Sequence, residues 1–270
     1  MNIKDLIDTH AHVYPLKIAA KASANVGKFY GIPMAFGEGT AGHLLSSEIP
    51  VGIRKIVIHS VATAKEQVFS INRFLSENAS HPVLHPFGTL HPGMDGAELR
   101  DEVAHIRDIG LHGIKLHPDC QQFAVDGPES RRMMDAVAAA GMDWPVLLHA
   151  GDNRFDYSHP SQIVALAKDY PQITFIAAHF GGYNEWEKSE AYLDVPNVVF
   201  DTSSSLAYIP TIRAENLIHR LGAERFMFAT DYPMWNIQDE LRLFFRLRLT
   251  EAESQAILAG NARRILKIPA

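Results

Sequence analysis

Cysteine is nearly missing from this chain: Cys120 stands alone among 270 residues. No intrachain disulfide can form, which fits a reducing compartment. Long apolar runs are missing too, and none approaches the ~20 residues of a membrane-spanning helix. Positive charge is not in excess. Lys and Arg number 25 against 31 Asp and Glu, a formal net charge of −6. The basic footprint of a nucleic-acid binder is therefore absent, and an anionic membrane surface is disfavoured. The opening Met1-Asn2-Ile3-Lys4-Asp5 lacks the basic stretch and apolar core of a signal peptide and leads almost at once into the first apolar run. No Gly-x-Gly-x-x-Gly follows any apolar run, which argues against an open dinucleotide-binding sheet. Together these absences predict a cytoplasmic protein with a small-molecule partner, and neither nucleic acid nor membrane.

What is present is a 47% hydrophobic composition, ample for a full core, in a repeating order. Short apolar runs end at His10, His59, Leu90, His117, His149, His179, Asp201 and Asp231, and segments with helical spacing separate most of them. The helices are expected over 64–78, 97–110, 128–140, 160–170, 212–221, 237–246 and 251–266, with Thr250 placed to cap the last. Near-continuous apolar runs are what strands buried on both faces look like. Eight of them alternating with helices predict a single-domain (β/α)8 TIM barrel over 1–270. A long insertion follows strand one, from Val13 to Gly52. Gly and Pro punctuate it heavily, so it is expected to be mostly loop, and its aromatic residues suit a cover over a pocket.

In such a barrel, groups at the C-terminal ends of the strands carry the chemistry. The ends read His10 and His12, His59, His91, Lys115 and His117, His149, His179, Asp201, Asp231. His10 and His12 are two residues apart on one strand and share a face. A barrel converges such groups on its axis, and neutral imidazole with carboxylate is the ligand set that Zn2+ and similar ions take. Alternation puts Lys115 and His117 on the barrel side of their strand. Asp231 also stands where it would cap the turn before Pro233. Arg154, Tyr157, Tyr183 and Trp235 follow strand ends and are candidates for lining a pocket, Arg154 as a fork onto a substrate carboxylate. Asp201 and Ser203 to Ser205 are placed to orient ligands from behind. Cys120 has no base marked for it and reads as a bystander, and His85, His105 and His219 as structural or exposed.

His10-x-His12, Lys115, His149, His179 and Asp231 on their strands resemble the amidohydrolase superfamily. Gly113-Ile114-Lys115-Leu116-His117-Pro118, His179-Phe180-Gly181-Gly182, Thr230-Asp231-Tyr232-Pro233 and Gly260-Asn261-Ala262-Arg263-Arg264-Ile265-Leu266 are similar to its aminocarboxymuconate-semialdehyde decarboxylase-like branch. The resemblance implies a divalent metal held by His10, His12, His149, His179 and Asp231, with Zn2+ expected first and Mn2+ as an alternative. One ion or two stays open: His179 binds a second ion in two-metal members, and Lys115, if carbamylated, would bridge the pair. As a free amine Lys115 would instead anchor an anion.

The leading expectation is a hydrolase. Metal-activated water would attack a lactone, ester or amide of a carboxylate-bearing molecule, with Asp231, His179 and Lys115 catalytic and His117, Arg154, Tyr157 and Trp235 against the substrate. The alternatives are a metal-dependent non-oxidative decarboxylase or hydratase in the same site, and an inactive barrel serving as a binding subunit. A homo-oligomer is compatible with the family, but no interface is marked.

Overall fold

A computed structural model describes residues 5–269. Residues 1–4, which the sequence reading leads into the first strand, and residue 270 lie outside them. The strands are β1 (Ile7–His12), β2 (Lys55–His59), β3 (Leu84–Pro86), β4 (Gly88–Thr89), β5 (Ile114–Leu116), β6 (Val146–Leu148), β7 (Phe175–Ala177), β8 (Val198–Asp201) and β9 (Phe226–Met227). All pairings are parallel and follow chain order, β1-β2-β3 and then β4 through β9. The third expected strand is broken at Phe87. Phe87 N–H bonds back to Ile58 O, while Gly88 N–H bonds forward to Gly113 O. The ladder thus changes neighbours without opening. Closure runs through Thr9 N to Phe228 O, Asp231 N to His10 O and His12 N to Tyr232 O. The result is the expected eight-stranded barrel with strand three in two pieces.

Two apolar layers hold it. Inside the barrel, Ile7, Val57, Phe87, Leu147, Ile176, Val199 and Met227 pack with Ala259, Ala262, Leu266 and Ile268 of the C-terminal segment. Outside, Ile56, Ile58, Ile114, Leu116, Val146, Leu148 and Phe200 face the helices. Side chains alternate along a strand, so two residues past the inner layer the interior turns polar: Val57 to His59, Leu147 to His149, Val199 to Asp201. With apolar residues packed at one end, these polar groups gather at the C-terminal mouth.

The surrounding helices are α1 (Leu16–Tyr30), α2 (Ala41–Glu48), α3 (Val68–Glu77), α4 (Gly96–Asp108), α5 (Pro118–Gln121), α6 (Pro128–Ala139), α7 (Pro160–Asp169), α8 (Thr211–Leu221), α9 (Ile237–Phe244), α10 (Glu251–Gln255) and α11 (Asn261–Ile265). Thr250 caps α10 in a reciprocal box with Glu253. The insertion after β1 is mainly helical, contrary to the loop expected from its Gly and Pro content. In α1 the buried face is Ala19, Ser23 and Gly27, small residues one helical turn apart. Gly27 lets the chain pack closely, since a Cβ there would lie 3.0 Å from Ile32 O. No helix among the described residues is long and apolar enough to cross a membrane.

Candidate metal centre

Strand β1 carries the first two imidazoles with a register shift between Asp8 and Ala11 against β2. An extra residue of this kind re-aims side chains, and here it brings the rings of His10 and His12 to one point. Their Nε2 atoms are 3.3 Å apart. Asp231 Oδ1 stands 3.4 Å from each. A tetrahedral ion bonded at about 2.1 Å to its ligands has ligand–ligand edges of about 3.4 Å. The triangle therefore has the dimensions of one face of such a site.

The electrostatics agree. His10 Nδ1 lies 2.8 Å from Asp201 Oδ2. A carboxylate only accepts, so His10 carries its proton on Nδ1 and turns the Nε2 lone pair to the triangle. Burial, reinforced by the Lys115 ammonium, holds His10 well below the ordinary histidine range, and burial lowers His12 as well. Burial pushes Asp231 up, but His10, His12 and His179 outweigh it and keep the carboxyl below the usual carboxylate range. Neutral imidazoles and an ionised carboxylate aimed at one point are a site for a divalent cation. Lys115, fully buried, has Nζ 3.2 Å from His10 Nε2 and competes for the same lone pair. Burial lowers its ammonium to about 8.

The supports come from β8 and the turn after it. Asp201 Oδ1 also accepts from His179 N at 2.9 Å, Ser203 N at 3.1 Å and Ser203 Oγ at 2.6 Å. Ser204 Oγ donates to Asp231 Oδ2 at 2.6 Å and receives Trp235 Nε1–H at 2.7 Å. His179, Ser204 and Asp231 all have left-handed backbones, with φ of 60°, 50° and 61°. Such φ values in non-glycine residues cost about 1–3 kcal/mol each. Here the hydrogen bonds just named hold them.

His149 and His179 stand beside the triangle rather than at its corners. His179 Nδ1 faces Ser203 O at 3.2 Å and Ser203 Oγ at 3.0 Å, so its proton is on Nδ1 and its Nε2 is an acceptor. His149 Nδ1, 3.0 Å away, donates to it. That leaves His149 Nε2 buried without a partner, 3.7 Å from Asp119 Oδ2. His117 stacks on His149 at 4.0 Å between ring centroids.

Three residues expected to line the substrate have contacts of their own. The Arg154 guanidinium is already engaged: it forks onto Asp152, reaches Phe29 O and lies over the Phe29, Tyr30 and Phe155 rings. Tyr157 stacks on Phe155 at 6.4 Å, outside the imidazole cluster. Trp235 acts on Asp231 through Ser204, as a brace. His91 Nδ1 takes Gly93 N–H at 3.1 Å and stands apart from the other strand-end histidines.

Three further side chains stand beside the cluster. His59 sets its ring edge-on against His10 at 4.8 Å and His12 at 4.4 Å, both its nitrogens lacking a protein partner. It was legible as a strand end. Asp119, which burial raises to about 7, follows His117 by two residues, directly after Pro118. Tyr30 arrives from the insertion, where no local signal marks it. Cys120 is pushed by burial to about 12, consistent with a bystander thiol.

With this geometry in hand, kinship decides the family. A family model described as Amidohydrolase matches residues 7–268. The chain belongs to the amidohydrolase family. It is 27% identical over 116 residues to the gamma-resorcylate decarboxylase of Polaromonas sp. strain JS666, a match over 37% of this chain that spans only about a third (36%) of that relative's length. Among solved structures it resembles 5-carboxyvanillate decarboxylase LigW from Sphingomonas paucimobilis, with a TM-score of 0.77 and 17% identity, covering 98% of this chain and 100% of that one. It also resembles a dihydroxybenzoic acid decarboxylase from Polaromonas sp. JS666 with bound manganese and the inhibitor 2-nitroresorcinol. There the TM-score is 0.73 at 18% identity, over 98% and 97% of the two chains.

These findings correct the leading expectation. The matching sequence relative is a decarboxylase, and none of these relatives is a hydrolase, so the hydrolase expectation is withdrawn. The protein is an enzyme of the amidohydrolase superfamily with a site for a divalent metal. The expected preference for zinc has no support, because the metal-bearing neighbour holds manganese.

Proposed function

We propose that this protein is a metal-dependent non-oxidative decarboxylase of a hydroxy-substituted aromatic acid. The observation that carries the reading is the His10, His12 and Asp231 triangle, with lone pairs converging at the spacing of one ion. Sequence kinship to gamma-resorcylate decarboxylase selects the reaction. Aromatic rings beside the imidazole cluster support an aromatic substrate. Tyr183 packs 5.5 Å from Tyr30, 5.9 Å from His149 and 5.8 Å from His179.

His10, His12 and Asp231 would hold one ion, with His149 and His179 adjoining it. A divalent ion there would supply positive charge to fix the substrate's carboxylate and neighbouring hydroxyl oxygens. Asp201 keeps His10 in the tautomer that presents Nε2. Ser204 and Trp235 orient Asp231. Lys115, left uncarbamylated and protonated, adds positive charge at the floor of the site. The reaction takes one proton onto the ring carbon and releases one CO2 as the carbon–carboxylate bond breaks. Asp231 carries that proton from solvent, and the His149–His179 pair steadies the charge that moves with it.

The test is incubation of manganese-loaded protein with 2,6-dihydroxybenzoate in D2O. The expected result is resorcinol bearing one deuterium at the former carboxyl carbon, equimolar with CO2. Deuterium-free product, or no CO2 from any hydroxybenzoate, would overturn the reading.

A further inference from the structure

The insertion after β1 delivers one side chain into the site. Tyr30, the last residue of α1, sets its hydroxyl 2.7 Å from His117 Nε2 and 3.5 Å from His149 Nδ1. The direction of these contacts follows from their partners. His117 Nδ1 accepts the Cys120 backbone N–H at 3.3 Å, so the neutral ring carries its proton on Nε2. His117 therefore donates to the Tyr30 oxygen. On the other side, His149 Nδ1 donates to His179 Nε2, so it has no lone pair for Tyr30. The tyrosine hydroxyl receives one hydrogen bond, and its own hydrogen has no acceptor among these neighbours. The Tyr30 ring borders those of His149 and Tyr183, at 6.0 Å and 5.5 Å between centroids.

The hydroxyl is held there by a purpose-built end of helix. Gly31 turns the chain away in a left-handed conformation, φ 69°, and its N–H closes onto Gly27 O. Arg154 ties this end to the loop after β6: it reaches Phe29 O and binds the buried Asp152 through two nitrogens. It also lies 5.0 Å and 5.4 Å from the Phe29 and Tyr30 ring centroids. An uncharged donor with no acceptor of its own suits an anionic oxygen.

From this geometry we infer that Tyr30 is a substrate-binding residue whose hydroxyl donates to the carboxylate of the bound acid, making the insertion a specificity element rather than a passive cover. The inference rests on the decarboxylase reading for the class of acid, and on this chain's own hydrogen-bond pattern for the role of Tyr30. Arg154 is then a positioning residue, fixing the helix end that carries the hydroxyl.

Tyr30→Phe removes the oxygen and keeps the ring on Phe29 and Tyr183. Binding of 2,6-dihydroxybenzoate and of 2,6-dihydroxybenzamide to manganese-loaded wild type and variant is measured by calorimetry, with a thermal melt of each protein. A hydrogen bond to a charged oxygen is worth roughly tenfold or more in affinity. The expected result is an acid bound at least tenfold more weakly by Tyr30→Phe, an amide changed by less than about twofold, and unchanged melting. Equal weakening of acid and amide would mean that the hydroxyl only shapes the pocket, and unchanged acid binding would remove it from the site. Either overturns the inference. If wild type binds the acid but releases no CO2, the decarboxylase reading fails while the Tyr30 comparison still stands. If wild type binds neither ligand, both fall.

Discussion

Replacing Asp201 with asparagine tests the logic of the metal centre at one atom. Asp201 is fully buried, and its Oδ1 accepts from His179 N, Ser203 N and Ser203 Oγ. The single oxygen of the substituted amide must keep that position. Its NH2 then faces His10 Nδ1, 2.8 Å away in the parent. Two N–H donors cannot meet, so His10 moves its proton to Nε2 and closes the lone pair offered to the triangle. Substitutions behind metal ligands cost about 10–100-fold in metal affinity, or about 1.4–2.8 kcal/mol. Because a donor here replaces an acceptor, the loss is expected near 100-fold. Asp201→Ala removes the same charge but imposes no tautomer, so its loss should be smaller, near tenfold. The assay is manganese titration against a competing chelator, with melts of the metal-free proteins to separate folding from binding. If Asp201→Asn binds manganese within twofold of wild type, or better than Asp201→Ala, the tautomer argument is wrong.

Other consequences follow from the same contacts. Ser204→Ala strips Asp231 Oδ2 of its donor and leaves Trp235 Nε1–H without its acceptor. We expect kcat/KM to fall by about tenfold or more and the acid limb of the pH–rate profile to move to higher pH, since a carboxylate that loses a donor binds its proton more tightly. A profile fixed in position would contradict this. Arg154→Ala should speed amide hydrogen exchange at residues 27–31 while leaving β6 protected; uniform exchange across both would refute its role as a latch. Glu48 is buried, and desolvation, then the Asp8 carboxyl, push it well above the usual range. The fold keeps a proton that the unfolded chain releases above about 4.3, so stability is lost as pH rises beyond that value. The melting temperature of Glu48→Gln relative to wild type should therefore climb between pH 5 and pH 8, and a flat difference would refute the assignment.

Much of the site was legible because the barrel repeats one rule. Apolar residues fill its inner layer, and a polar residue two positions later faces the mouth, as from Val57 to His59 or Val199 to Asp201. A sequence reveals that pattern strand by strand, including Asp201 and Ser203 as supports. Three features were hidden for physical reasons. Helix α1 buries Ala19, Ser23 and Gly27 and exposes Leu16 and Ile18, so apolar periodicity points to the wrong face. The break at Phe87 depends on which neighbour each backbone N–H finds, a property of two other strands. Arg154 looks like a substrate fork until Asp152, Phe29 and Phe155 are folded around it. Reaction type was illegible for another reason: a metal triangle with a carboxylate serves hydrolysis and decarboxylation alike, and the proposal of decarboxylation draws on kinship.

The most direct test is metal dependence of CO2 release. Protein stripped by chelation is assayed on 2,6-dihydroxybenzoate, then titrated with manganese while CO2 is followed. The account predicts release below about one-hundredth of the loaded rate in stripped protein, full recovery at one ion per chain, and no recovery in Asp231→Asn. CO2 release at the full rate from metal-free protein, or recovery unaffected by loss of Asp231, would contradict it.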